Sequence, residues 1–188
     1  CMMHSTQRDA TPPYTNRCVQ YQKMRRVIVQ GSSRNNGNTS KIVQILQDCL
    51  ECDIINLSDC DIGQYDYESS NRNDDFLATI REIVEYDLII FATPVYWYSM
   101  SGTMKTFFDR ITDCLKIEKE TGRKLRGKNM AAISCGSDSF ENEGFFTPFE
   151  KSAEYLGMNY FGHIHTWIDE NGLSNTMLEL IKDFSKKL

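Results

Sequence analysis

The segment Asp87-Leu88-Ile89-Ile90-Phe91-Ala92-Thr93 constrains the fold of this chain more than any other. After Asp87 it carries no charge, and its five consecutive apolar residues leave no polar face for water. Such a run predicts a central strand of a parallel sheet, covered on both sides. A strand of that kind needs crossover connections, so helical patterns should flank it. They do. Val27-Ile28-Val29 predicts a first buried strand that ends at Gly31. Residues 39 to about 50 set Ile42, Val43, Ile45, Leu46 and Leu50 on one side of a helix. A second strand is expected over 53–57, a long polar loop over 59–73, and a helix over 74–86.

Beyond the central strand, Ser101 is placed to cap a helix carrying Met104, Phe107, Phe108, Ile111 and Leu115. A fourth strand is expected over 129–135, a helix over 143–156 and a last strand over 159–167. A closing helix over 173–188 ends in lysines, which favour the negative end of its dipole. Five strands alternating with five helices predict one doubly wound α/β domain over residues 25–188. Residues 1–24, with Thr11-Pro12-Pro13-Tyr14 and no periodicity, read as an N-terminal arm without assigned function.

A formal charge of −5 argues against nucleic-acid binding, which needs a basic stripe. No run approaches the roughly 18 apolar residues of a membrane span, and no secretory signal is visible. The seven cysteines are odd in number and irregularly spaced. They predict reduced thiols and a cytoplasmic protein, with no disulfide framework. Cys49 and Cys52 form a CxxC at the end of a predicted helix, away from the N-terminal amides that stabilise thiolates. No second CxxC completes a zinc site, and no metal is expected. His163 and His165 alternate in the last strand and lack a third ligand, so they read as structural.

Doubly wound sheets bind ligands beyond the carboxyl ends of their strands. Three loops lie there. The first, Gly31-Ser32-Ser33-Arg34-Asn35-Asn36-Gly37-Asn38-Thr39-Ser40, joins a buried strand to a helix start and is dense in hydroxyls, amides and glycine. Those groups, with Arg34 as a charged donor, suit a phosphate. The loop is neither a Walker loop nor G-x-G-x-x-G, so one terminal phosphate fits better than a pyrophosphate. The second, Thr93 through Gly102, has three consecutive aromatics, Tyr96-Trp97-Tyr98, which a loop cannot hide together and which suit a flat heteroaromatic ring. The third, Ser134-Cys135-Gly136-Ser137-Asp138-Ser139, has small residues whose amides could reach a ring's polar edge. Cys135 lacks the arginine of a phosphatase loop and is not expected to be a nucleophile.

The first loop resembles the phosphate loop of the NAD(P)H-dependent FMN reductase family, within the flavodoxin-like proteins. The second, continued by Met104-Lys105-Thr106-Phe107-Phe108-Asp109-Arg110, resembles that family's second flavin loop and the following helix. The resemblance implies a five-stranded parallel sheet of order 2-1-3-4-5 with helices on both faces, FMN at its carboxyl edge, and a homodimer or higher homo-oligomer. Residue by residue, it implies phosphate contacts from Ser32, Arg34, Gly37, Asn38 and Thr39. Pro94, Tyr96, Trp97 and Tyr98 would line the isoalloxazine, with backbone from Val95 to Ser99 at its polar edge. Cys135, Gly136 and Ser137 correspond less clearly to the third loop.

The implied reaction takes hydride from NADH or NADPH to flavin N5 and on to a small acceptor such as a quinone or flavin, with no catalytic side chain required. Related iron–sulfur flavoproteins carry a cysteine cluster after strand two. Only Cys60 stands there, so no such cluster is expected. A flavodoxin-type electron carrier and a non-enzymatic flavin-binding module are the alternatives.

Overall fold

The structure, a computed structural model, describes residues 23–188. Most of the expected arm therefore lies outside the described residues. In chain order the elements are β1 (Arg26–Gln30), α1 (Asn38–Leu50), β2 (Asp53–Asn56), a 3-10 turn (Leu57–Asp59), α2 (Phe76–Ile83), β3 (Leu88–Tyr96) and β4 (Ser99–Met100). They continue with α3 (Gly102–Lys116), α4 (Lys119–Lys124), β5 (Asn129–Gly136), α5 (Thr147–Leu156), β6 (Asn159–Trp167) and α6 (Asn175–Ser185).

The five long strands pair in parallel in the order β2-β1-β3-β5-β6, the expected 2-1-3-4-5 arrangement. Strand β3 is central. Residues 88–94 are buried, as an uncharged run between two helical layers must be. Strand alternation divides the core in two. Val27, Val29, Ile89, Phe91, Met130 and Ala132 face α2, α3 and α5. Ile28, Leu88, Ile90, Ala131 and Ile133 face α1 and α6. The chain leaves β1 for β2 in one direction and reaches β3 in the other, so the topological switch point lies between β1 and β3.

Two differences from the sequence reading matter. Strand β3 runs to Tyr96, three residues past its expected end, and turns back through Trp97-Tyr98 into β4. The second loop is therefore largely a tight hairpin, pairing Val95 with Met100 and Tyr96 with Ser99. The short helix α4 also went unforeseen, because six residues with one buried position, Thr121, carry no apolar stripe.

The long polar loop after β2 is fastened from beneath. Arg110 of α3 is 1% exposed and ion-pairs with Asp113 at 2.7 Å and Asp74 at 2.5 Å. The same guanidinium donates to the carbonyls of Gly63 and Asn71, and Asp74 accepts the N–H of Gly63. Burial alone would raise the Asp74 carboxyl, but Arg110 and the N–H groups of Phe76 and Gly63 outweigh it and hold it below the usual carboxylate range. No described helix is long and apolar enough to cross a membrane.

Candidate functional site

Gly31 lets two elements meet at the switch point. A Cβ there would come within 2.8 Å of Met104 Cβ on α3. Ser101 caps α3, accepting the N–H of Met104, and its hydroxyl donates to the carbonyl of Gly31. Its own N–H donates to Thr93 Oγ1 at 3.0 Å. These bonds join the starts of the first and second loops.

The first loop then wraps the N-terminus of α1. Gly37 is the N-cap and supplies no side-chain bond, and among the described residues no side chain accepts from the first-turn N–H groups. Those donors, with the helix dipole behind them, suit an anion. The loop's tip is held from two sides. Asn35 donates to Asp59 at 2.7 Å and accepts from Ser58 at 2.7 Å, and the hydroxyls of Ser33 and Tyr96 hydrogen-bond at 3.3 Å.

A cleft of about 480 Å³ runs from this loop across the carboxyl ends of β3 and β5. It brings together Ser32, Arg34, Gly37, Asn38, Thr39, Pro94, Val95, Tyr96, Cys135, Gly136 and Ser137, eleven of the fourteen expected binding residues. Asn36, not singled out from the sequence, joins them. The guanidinium of Arg34 is the one charge in the lining, and Arg34 makes no ion pair among the described residues. Hydroxyl and amide donors, one guanidinium, open backbone and the ring of Tyr96 line one cleft, a set that fits a phosphate joined to a flat ring.

Trp97 and Tyr98 stand just outside that cleft. They are 93% and 63% exposed, and both adopt positive φ, 49° and 65°. A two-residue hairpin turn with positive φ at both positions normally calls for Asn-Gly; Trp-Tyr is strained there. Ser99 pairs across the hairpin with Tyr96 and lines neither the cleft nor the recess beside it.

That recess, about 280 Å³, shares Val95, Gly136 and Ser137 with the cleft and adds Trp97, Tyr98, Asp138, Phe140, Asn142 and His165. The last four escaped the sequence reading as wall residues. Strand periodicity gave the face of His165 but not its neighbour. His165 Nε2 lies 3.0 Å from the carbonyl of Asp138, which can only accept, so Nε2 carries a proton. Its Nδ1 lies 2.7 Å from Ser134 Oγ. The ring is thus a fixed strut holding the third loop to β5 and β6.

Cysteine chemistry finds little support. Burial pushes Cys135 up, and Cys52 up to about 11, so both stay as thiols at neutral pH. Cys52 is buried while Cys49 is exposed, and neither forms a disulfide. Among the described residues no cluster of three His, Cys, Asp or Glu is placed to hold a metal ion.

Known proteins resemble this chain in sequence and in fold. YwqN of Bacillus subtilis, named as an NAD(P)H-dependent FMN-containing oxidoreductase, is 26% identical over 151 residues, 75% of this chain and 83% of that protein. The Trp repressor binding protein of B. subtilis superposes with a TM-score of 0.67 at 22% identity, covering 85% of this chain and 97% of that one. An FMN-dependent NADH-azoreductase from Bacillus anthracis, solved with FMN, gives 0.61 at 11% identity over 87% and 98% of the two chains. A flavodoxin from Megasphaera elsdenii gives 0.53 at 14% identity over 86% and 98% of the two chains, and these likenesses show the flavodoxin-like fold. The profile of the NADPH-dependent FMN reductase family matches residues 24–169, well over half the chain, and the protein belongs to that family.

Proposed function

We propose that this protein binds FMN in the cleft and passes hydride from NADH or NADPH to it, and then on to a small acceptor such as a quinone or a flavin. One observation carries the reading: Arg34 and the uncapped first turn of α1 share one cleft of about 480 Å³ with Tyr96 and the carboxyl ends of β3 and β5. Family membership and the kinship with YwqN support it.

FMN, when bound, supplies the hydride-accepting atom, N5 of its ring. The chain's residues bind and orient. Ser32, Arg34, Gly37, Asn38 and Thr39 hold the phosphate. Pro94, Val95 and Tyr96 flank the isoalloxazine, Trp97 and Tyr98 stand at its outer side, and the backbone of Cys135, Gly136 and Ser137 meets its polar edge. No side chain moves a proton in the hydride step. A homodimer or higher homo-oligomer, checked by sedimentation, belongs to the same reading. So does a cytoplasmic location, which the unpaired cysteines among the described residues fit.

The test is a visible spectrum of the FMN-loaded protein without air. The yellow band should bleach on adding NADH or NADPH and return with a quinone. Persistent colour with both nicotinamides would leave an electron carrier in place of a reductase. Protein that takes up no FMN would end the reading.

A further inference from the structure

The cleft and the recess beside it differ sharply in charge. The phosphate end has Arg34. At the recess end, Asp138 is the one charged wall residue, and Glu141 and Glu143 follow it in the same loop. Between Lys128 and Lys182 the chain has a single Lys or Arg, Lys151, and that ammonium pairs with Glu154 at 2.8 Å. The carboxylates around the recess thus face no lysine or arginine from their own segments. Among the described residues Glu141 has one basic partner, His163, at 3.6 Å.

The same recess is built for a ring. Trp97, Tyr98 and Phe140 wall it, with Phe140 63% exposed and Trp97 almost fully so. Its shape is fixed. His165 bonds the third loop to β5, Asn142 donates to the carbonyl of Tyr98 at 3.3 Å, and Asp138 Oδ1 accepts the N–H of Phe140 at 2.9 Å. Aromatic faces bind flat apolar or cationic rings. A cluster of carboxylates with low-dielectric walls repels anions over a distance comparable to the Debye length.

We propose that the recess walled by Trp97, Tyr98, Phe140, Asn142 and His165 is the acceptor's seat, and that it selects small flat aromatic acceptors that are neutral or cationic over anionic ones. The proposal rests on the oxidoreductase reading above and names the acceptor class of that site. Its size, about 280 Å³, sits at the lower limit of ligand pockets and suits one or two fused rings.

The experiment compares three naphthoquinones of matched shape, one bearing a sulfonate, one uncharged and one bearing a trimethylammonium group. Their binding to oxidised, FMN-loaded protein is measured by calorimetry at low salt, so no turnover is needed. The sulfonate should bind about tenfold more weakly than the neutral ring, and the gap should close at high salt. Asp138→Asn keeps an acceptor for the Phe140 N–H and should strengthen sulfonate binding about threefold, with little change for the neutral ring. Trp97→Ala should weaken all three compounds.

A sulfonate that binds as tightly as the neutral ring overturns the charge rule, and unchanged binding in Trp97→Ala overturns the location. Anaerobic bleaching by NADPH is measured on the same sample. Charge-ordered binding without bleaching would retain the recess as a ring site while removing the oxidoreductase reading.

Discussion

The hydroxyl of Ser101 donates to the carbonyl of Gly31, seventy residues earlier in the chain, while accepting the N–H of Met104. One buried side chain thus caps α3 and fixes the point where the first loop leaves β1. Ser101→Ala removes both bonds and leaves a buried carbonyl without its partner. It should cost about 2 kcal/mol by denaturant unfolding. FMN affinity should fall with it, because the first loop loses its anchor to the second. Unchanged stability would show that the two loops are held independently.

The turn at Trp97-Tyr98 gives up stability for exposed rings. Both residues hold a backbone conformation that side chains resist. Replacing the pair by Asn-Gly should keep the hairpin and raise Tm by about 3 °C, since relief of roughly 1 kcal/mol is expected. Turnover with aromatic acceptors should drop in the same variant. A lower Tm would mean the rings stabilise the fold through contacts that outweigh the strain.

Arg34 lines the proposed phosphate end of the cleft without an ion-pair partner among the described residues. Arg34→Ala should weaken FMN binding by about 10- to 100-fold, the scale of a lost charge-assisted hydrogen bond. Riboflavin, which lacks the phosphate, should bind the variant and the parent equally. An equal loss for both flavins would move Arg34's role away from the phosphate.

The Arg110–Asp74 pair sets an acid limit. The folded Asp74 carboxyl lies below its unfolded value of about 3.9, so its stabilisation is complete above that pH and disappears as pH falls through the folded value. Asp74→Asn should be less stable than the parent by about 3 kcal/mol at pH 7, with the gap narrowing below about pH 4. Urea unfolding across pH 3–7 measures it. A gap independent of pH would mean the lost bonds matter and the charge does not.

Much of the fold was legible because burial on both faces of a parallel strand leaves an unmistakable mark. The uncharged run before Thr93 located β3, and β6 falls at its expected residues, 159–167. Helix ends were less legible. The expected helix over 143–156 begins at Thr147, since Glu143 to Phe146 form turns and not a first helical turn. The hairpin was hidden because Trp-Tyr carries none of the residues that normally announce such a turn.

By itself, the order of residues determined the alternation of strand and helix, the donor-rich loop after β1 and the aromatic triplet after β3. Each of these is local, written in periodicity or in the chemistry of adjacent side chains. The tertiary structure decided which distant groups meet. It set Ser101 against Gly31, buried Arg110 among Asp74, Asp113 and the carbonyls of Gly63 and Asn71, and placed Asp138 and His165 in the wall beside the cleft. Those meetings depend on strand order and crossover, which bring residues tens of positions apart to one edge of the sheet, and a linear pattern holds no record of such distances.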